Sequence, residues 1–242
     1  MNSELFGEFM GTLVLVYLGN STVSNVVLNK SKGQNSGWIV ITTGFAFAVM
    51  AGVFTAIACG SPGAHINPAV TLGLAVAGKT PFANFVPYFL AQLAGAFAGA
   101  VLVWLQFLPH WAETPDQGGK LACFSTGPAI RSTVHNIIAE AIGTGLLVFL
   151  IACVVSSKVS AGLAPGLAPF LIGGLVWGLG LGMGGTTGFA INPARDLGPR
   201  IAHAILPIAG KGGSDWGYAM VPVIGGLLGG VVAGILISAT GV

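Results

Sequence analysis

Long apolar stretches separated by short polar segments dominate the chain. A helix needs about 20 apolar residues to cross a hydrocarbon core, and stretches of that length recur along the 242 residues. They predict six membrane-spanning helices, at Leu5 to Val27, Trp38 to Cys59, Phe82 to Leu108, Val134 to Ser156, Leu163 to Met183 and Gly217 to Ile237. The first residues carry no basic segment typical of a cleavable signal, so we expect the first helix to be retained.

Composition agrees with a protein that lies in lipid. Only 7% of the residues are charged and 54% are hydrophobic, whereas soluble domains are about 25% charged. The apolar spans imply membrane lipid as a partner, whereas the net charge of +2 and the scattered basic residues indicate neither nucleic acid nor an anionic lipid surface. The three cysteines, Cys59, Cys123 and Cys153, have no metal-binding or disulfide spacing, and we interpret them as packing residues.

The two halves of the chain repeat one another. Matching positions carry the same residues, among them the pairs Glu8 and Glu140, Gly11 and Gly143, and Thr12 and Thr144. Each half contains three predicted spans, and an odd number of crossings inverts the second half relative to the first. We therefore expect one membrane domain over 1–242, with a first repeat at 1–110, an irregular connecting loop at 111–132 and a second, inverted repeat at 133–242.

An Asn-Pro-Ala motif occurs once in each half. Asparagine is a good N-cap and proline is favoured at the first helical position, so the motif predicts the start of a helix. The apolar runs that follow are long enough for half a bilayer, which predicts two half-spanning helices near 67–77 and 192–205. In inverted repeats their N-termini meet at the membrane centre. The motif residues are Asn67, Pro68, Ala69, Asn192, Pro193 and Ala194.

The residues that lead into each motif are expected to line a water-filled path. Non-helical backbone at membrane depth is tolerated only where it is buried in protein or faces a wet cavity. The positive ends of two helix dipoles would disfavour cations and hydronium there, and the asparagine amides would donate to a central water. The predicted lining, by carbonyl or side chain, consists of Gly63, Ala64, His65, Thr187, Gly188 and Ala190.

At these residues the chain resembles the major intrinsic protein family, the aquaporins and glycerol facilitators. The resemblance covers nearly the whole length and includes the motifs GEFMGT, AEAIGT, SPGAHINPAVT and TTGFAINPARDLGPR. It implies an all-α membrane protein with six transmembrane helices and two half-spanning re-entrant helices in two inverted repeats. It also implies a homotetramer with one pore per subunit, in the inner or plasma membrane of the cell.

The resemblance further implies that both termini are cytoplasmic. Loop charge alone would point the other way, because the loops then outside carry more lysine and arginine than the inside loops, the reverse of the positive-inside tendency. The outside loops would hold Lys30, Lys32, Lys120, Arg131 and Lys211, and the inside loops Lys79 and Lys158.

The resemblance assigns four residues to a narrow selectivity filter. Three of them are Gly180, Phe189 and Arg195; the fourth is Phe45 by the local pattern, although counting back from Asn67 gives Phe47, and we prefer Phe45. An arginine at membrane depth is costly unless it is hydrated or paired, so it indicates function. Its N–H donors would face one side of a permeant molecule and the phenyl rings the other. Glycerol, with hydroxyls along one edge and C–H along the other, fits such a slot.

Other ionisable residues have structural interpretations. Glu8 and Glu140 could form a proton relay, but we expect them to accept hydrogen bonds from backbone N–H groups of the half-helix loops. Asp196, which the resemblance associates with glycerol facilitators, is expected to form a salt bridge or anchor a loop. No metal site is expected, since the partners that His65 would need lie in different regions.

The predicted function is a passive channel that conducts glycerol and related small uncharged solutes, with water, and excludes ions and protons. A water-selective channel is the first alternative and would require a histidine or another bulky polar residue in place of Gly180. An ion-coupled transporter of inverted-repeat architecture is the second, and would need coupling groups near the midplane. No nucleophile, base or metal cluster indicates an enzyme, and no cofactor is expected. Glycerol, other polyols, urea and metalloid hydroxides remain open as the physiological solute.

Overall fold

The computed structural model describes residues 3–164 and 166–242, and this part of the chain is helical with no β-strand. Its helices are α1 Ser3–Val27, α2 Trp38–Ala58, α3 Pro68–Val76, α4 Phe85–Gln106, α5 Leu108–Glu113, α6 Gln117–Ala122, α7 Thr133–Val155, α8 Ser157–Ser160, α9 Leu167–Thr187, α10 Pro193–Ile205 and α11 Trp216–Thr240. A 3-10 turn at Phe82–Asn84 precedes α4. In the described residues, α1, α2, α4 with its turn, α7, α9 and α11 are long and apolar enough to span a membrane, which confirms the six predicted spans.

Two predicted boundaries differ from the structure. The fifth span begins four residues later than predicted, at Leu167, because Gly166 before it has a left-handed conformation (φ 85°) that cannot be part of a right-handed helix. The helix continues to Thr187. The segment predicted as an irregular loop at 111–132 contains the end of α5 and all of α6. Pro109 lies in the first turn of α5, where a missing N–H has no cost.

The three long helices of each half pack in the same way. α1 contacts α2 and α4, and α7 contacts α9 and α11, while α2 and α9 pack against each other across the two halves. Glycine allows the closest approaches. A Cβ at Gly95 of α4 would lie 2.2 Å from the carbonyl oxygen of Phe9, and one at Gly229 of α11 would lie 2.4 Å from that of Ala141. Any side chain at either position would separate the helices.

A glycine series in α9 packs against no other side chain or helix within the described residues. Gly174, Gly178 and Gly182 are spaced by four residues, a pattern typical of close helix packing, yet a Cβ at any of them would meet no atom within 4 Å. The glycines of α9 that face neighbours within this chain are others, such as Gly180 and Gly184. The hydrophobic pattern does not distinguish these two faces, since both are glycine-rich.

The two short helices α3 and α10 connect the halves. α3 packs against α11, the last span of the second half, and α10 packs against α4, the last long span of the first half. Each half-helix is therefore held by the opposite half. This exchange brings residues 67 and 192, which precede the two helices, to the middle of the molecule.

Candidate functional site

Both half-helices begin with the capping geometry that the motif predicts. Asn67 and Asn192 have extended backbones, and each side-chain oxygen accepts from the start of its own helix. The Asn67 Oδ1 atom accepts from the amide of Ala69 at 2.9 Å. The Asn192 Oδ1 atom accepts from the amides of Ala194 and Arg195 at 3.1 and 3.2 Å. A proline occupies the first helical position in both.

The side-chain amides also join the two halves. Asn67 Nδ2 donates to the carbonyl oxygen of Ile191 at 2.7 Å, and Asn192 Nδ2 donates to that of Ile66 at 2.8 Å. The sequence predicted that each side chain would cap its helix and still present N–H donors to a central water. One N–H of each amide is used by the opposite loop, and the second remains for the cavity that both residues line.

The loops before the motifs have the same strained backbone in both halves. Ala64 and Ile66 have φ of 41° and 43°, and Phe189 and Ile191 have φ of 41° and 42°. Non-glycine residues rarely adopt this left-handed conformation, and it is typical of functional sites. In the part of the chain that the structure describes, no donor is found for the carbonyls of residues 63–65 or 188–190.

Two buried carboxylates hold the strained loops. Glu8 accepts from the amides of His65 and Ile66 at 2.8 and 2.7 Å, and also from the side chains of Ser61 and Gln92. Glu140 accepts from the loop of the second half in the same way. Its donors are the amide of Ala190 at 3.0 Å, the amide of Ile191 at 2.8 Å and the hydroxyl of Thr187 at 2.6 Å. Both side chains are fully buried.

A cavity of about 450 Å³ passes along these loops. It follows α2 from Phe45 to Ile57, a distance of roughly 18 Å at the helical rise, and most of its wall is apolar. Four residues of the predicted lining contribute to its wall: Gly63, Ala64, His65 and Ala190. Thr187 and Gly188 do not. The Thr187 hydroxyl is instead directed at Glu140, which corrects the predicted role of this side chain.

Arg195 and two phenyl rings meet at one end of the cavity. The Arg195 guanidinium carbon lies 4.5 Å from the centre of the Phe45 ring, a cation–π distance. The Phe45 and Phe189 rings are edge-to-face with centroids 5.6 Å apart. All three side chains are buried and line the cavity. The structure therefore places a fixed positive charge with N–H donors beside two apolar rings in the wall of the cavity.

The structure distinguishes Phe45 from Phe47, the two filter candidates that the sequence left open. Phe45 is 3% exposed and contacts Arg195, whereas Phe47 is 55% exposed and lies on the outer face of α2. Gly180 does not line the cavity itself but lies behind Phe189. A Cβ at Gly180 would be 3.0 Å from the Phe189 ring.

Asp196 is the centre of a buried network next to Arg195. One carboxylate oxygen accepts from the amide and the hydroxyl of Thr126 at 2.7 and 2.6 Å. The other accepts from two nitrogens of Arg200 at 3.0 and 2.8 Å. Arg200 also donates to the carbonyl oxygens of Thr126, Ser214 and Asp215. Asp196 thus anchors the connecting segment to α10, and neither charged side chain is exposed.

Several residues at the site gave no recognisable signal in the sequence. Trp38 donates to the Gly180 carbonyl and contacts Phe189, although a tryptophan at the start of a span is typical of a membrane interface. Gln92 bonds Glu8 from a third helix. The apolar wall of the cavity consists of residues that resemble any others in a span, including Val49, Val53, Leu147, Ile151 and Val176.

Comparison with known proteins places this geometry in a family. The family described as "Major intrinsic protein" matches residues 1–237. The chain is 52% identical over 233 residues to glycerol uptake facilitator protein 3 of Lactiplantibacillus plantarum, covering 96% of this chain and 95% of the relative. It is 52% identical over 238 residues to the glycerol uptake facilitator protein of Streptococcus pneumoniae, covering 98% and 99%.

A solved structure has the same fold. The X-ray structure of the aquaglyceroporin from Plasmodium falciparum superposes with a TM-score of 0.86 and 29% identity, over 98% of this chain and 95% of that one. The six spans, the two half-helices and the sequence match agree with one another. The chain belongs to the major intrinsic protein family.

Proposed function

We propose that this protein is a passive channel that conducts glycerol and related small uncharged solutes, together with water, and excludes ions and protons. The observation that carries the proposal is the slot in which Arg195 faces Phe45 and Phe189 at the end of an apolar cavity. The names of the similar bacterial proteins, which are glycerol uptake facilitators, support the same substrate.

In this proposal Phe45, Gly180, Phe189 and Arg195 form the selectivity filter. A polyol that enters the filter loses hydrogen bonds to water, and the Arg195 guanidinium replaces some of them because it offers several N–H donors. The carbon edge of the polyol packs on the two rings. Gly180 contributes by having no side chain, since any larger residue would push Phe189 towards the lumen.

Beyond the filter, a solute would follow the ladder of backbone carbonyls at Gly63, Ala64, His65 and Ala190. The free N–H groups of Asn67 and Asn192 would donate to it at the centre. Two helix N-termini point to the centre, each equivalent to about half a positive charge. Arg195 adds a full positive charge at the filter. These charges disfavour cations, and a central water that accepts from both asparagines would interrupt proton transfer.

The alternatives predict different residues. A water-selective channel needs a bulky polar side chain near Phe189, and glycine occupies that position. An ion-coupled transporter needs a carboxylate that can change its partners. Glu8 and Glu140 each accept three or four hydrogen bonds from the loops and helices around them, which favours a structural role for both.

The assembly and orientation belong to the same proposal. The six spans put both termini on one side of the membrane, and we assign that side to the cytoplasm of a cell with the protein in its inner or plasma membrane. The glycine-rich outer face of α9 supports a homotetramer, because small residues allow helices of neighbouring subunits to approach in lipid. The repeats at 1–110 and 133–242 remain the proposed internal division.

Stopped-flow light scattering on proteoliposomes tests the function. In an inward glycerol gradient, liposomes with the protein should swell back faster than empty liposomes. The rate should not change when a proton or sodium gradient is imposed. Swelling no faster than in empty liposomes would contradict a glycerol channel, and accumulation driven by an ion gradient would indicate a coupled transporter.

A further inference from the structure

The Trp38 side chain lies behind the filter and outside the cavity lining. Its indole N–H donates to the carbonyl oxygen of Gly180 at 3.1 Å. Its ring meets Phe189 edge-to-face, with centroids 5.7 Å apart and an interplanar angle of 78°. Trp38 is the first residue of α2 and Gly180 lies in the middle of α9. The contact therefore joins two spans from opposite halves at the level of the filter.

Phe189 contacts two aromatic side chains of α2. Trp38 and Phe45 each meet its ring with edge-to-face geometry. Behind the rings, α9 presents glycine: a Cβ at Gly184 would lie 2.6 Å from Trp38 Cζ2 and 2.7 Å from Phe189 Cδ1. The two rings thus pack directly on the backbone of α9, and neither can move towards it.

Phe189 lies in the non-helical loop between α9 and α10 and has a left-handed φ of 41°, which favours glycine. Its ring contacts the rings of Trp38 and Phe45. Phe45 and Phe189 line the cavity, whereas Trp38 does not and is 40% exposed.

We propose that Trp38 is a positioning residue for the filter: it holds Phe189 and the Gly180 carbonyl in place and so sets the width of the aperture. The inference rests on the proposed glycerol conduction. Trp38 acts through Phe189 and does not touch the permeant. Its loss should let the Phe189 ring move away from Phe45 and admit larger polyols.

The test compares W38A and W38F in proteoliposomes, with water, glycerol and erythritol permeability measured on each preparation. W38A should raise the erythritol-to-glycerol ratio about two- to tenfold, the change expected when one edge-to-face aromatic pair is lost. W38F keeps a ring against Phe189 and should return most of the wild-type ratio. W177A and W177F are matched controls, since Trp177 on α9 is also 40% exposed, and both should keep the wild-type ratio.

A second pair of variants tests the same contact in the opposite direction. Gly184→Ala would push both rings away from α9, which should narrow the aperture and lower glycerol permeability several-fold more than water permeability. Gly213→Ala, in the segment before α11 where a Cβ also meets nothing within 4 Å, should behave as wild type. This pair decides the matter if W38A does not insert into membranes.

The outcomes separate the two proposals. If wild-type protein passes glycerol but W38A keeps its ratio, or if W38F is as permissive as W38A, Trp38 does not position Phe189 through its ring. The same holds if Gly184→Ala leaves the glycerol-to-water ratio unchanged. If wild-type protein passes no glycerol, the proposed function fails, and the inference fails with it.

Discussion

The two half-helices begin alike and then differ. α3 and α10 both start at an asparagine cap, follow a loop with two left-handed residues and are held by a buried glutamate from the first span of their half. After the shared Asn-Pro-Ala, the first continues with Val70 and Thr71 and the second with Arg195 and Asp196. α3 is nine residues long and uncharged, while α10 has 13 residues and buries three charged side chains.

This difference separates two tasks. The shared features bring backbone and amide groups from both halves to the centre of the cavity, and they need the same chemistry from both sides. The features found in α10 and not in α3 are the ones that the proposed filter needs, because only α10 places a guanidinium against aromatic rings. Asp196 and Arg200 then fix α10 to the connecting segment, which keeps Arg195 in register. A symmetric channel with valine after both Asn-Pro-Ala motifs would keep the asparagine pair at the centre but would have no arginine at the filter.

Removal of Glu8 or Glu140 disrupts the loops that both halves share and should have the largest effect. In Glu8→Ala and Glu140→Ala, two backbone N–H groups lose their partners in each variant, at about 1–3 kcal/mol for each buried group. We expect both variants to have a much lower unfolding temperature in detergent than the wild-type protein, measured by thermal unfolding. A similar loss for the two would support the symmetry of the centre, and a stable variant of either would contradict it.

Glu113→Ala is the matched control for these variants. Glu113 pairs with Lys30 at 2.5 Å, but both side chains are about half exposed or more. Exposed pairs contribute about 0–1 kcal/mol, so this variant should unfold close to the wild-type temperature.

Asp196→Ala disrupts the buried charge network that only the second half contains. It leaves the buried Arg200 without its carboxylate, which costs about 3–5 kcal/mol for a buried ion pair. Thermal unfolding should show a clear loss, and glycerol permeability per folded molecule should fall because α10 is no longer anchored. Thr71→Ala, at the matching position of α3, should have a smaller effect on both measurements.

The double variant Asp196→Leu/Arg200→Met provides the check. It removes both charges and leaves none unpaired, so it should recover much of the stability lost in Asp196→Ala. A double variant as unstable as the single one would show that the hydrogen bonds to Thr126 matter more than the unpaired charge.

Loss of the caps should have the smallest effect and should reveal a slight asymmetry. An N-cap substituted by alanine costs about 1 kcal/mol, and both variants also lose one bond to the opposite loop, which affects the two alike. Asn192 accepts two amides and Asn67 accepts one, so Asn192→Ala should lower the unfolding temperature more than Asn67→Ala. Asn84→Ala is the control, since Asn84 precedes α4 without a side-chain cap bond and should change little. Equal effects in all three would contradict the capping role.

Much of this arrangement could be predicted because it depends on local patterns. Apolar length predicts the spans, Asn-Pro predicts the half-helix starts, and the repeat predicts that they meet. The preference for Phe45 over Phe47 follows from the local pattern and agrees with the contact that Phe45 makes to Arg195.

The rest depends on contacts between distant residues that leave no periodic signal. The bond from each asparagine to the opposite loop and the contact of Trp38 with Gly180 join residues more than a hundred positions apart. The spacing of Gly174, Gly178 and Gly182 in α9 is typical of close packing, but the spacing alone could not show which face of the helix has a neighbour. The short helices α5 and α6 were hidden by the prolines and glycines around them.

The selectivity of the double variant Phe189→Ala/Arg195→Ala tests the proposed filter most directly. Wild-type proteoliposomes should pass glycerol much faster than erythritol and should not conduct ions. The double variant removes one wall of the slot and its charge together, so its erythritol-to-glycerol ratio should rise and ion conductance should appear. If the double variant folds and keeps the wild-type ratio and ion exclusion, selectivity does not lie at Phe189 and Arg195.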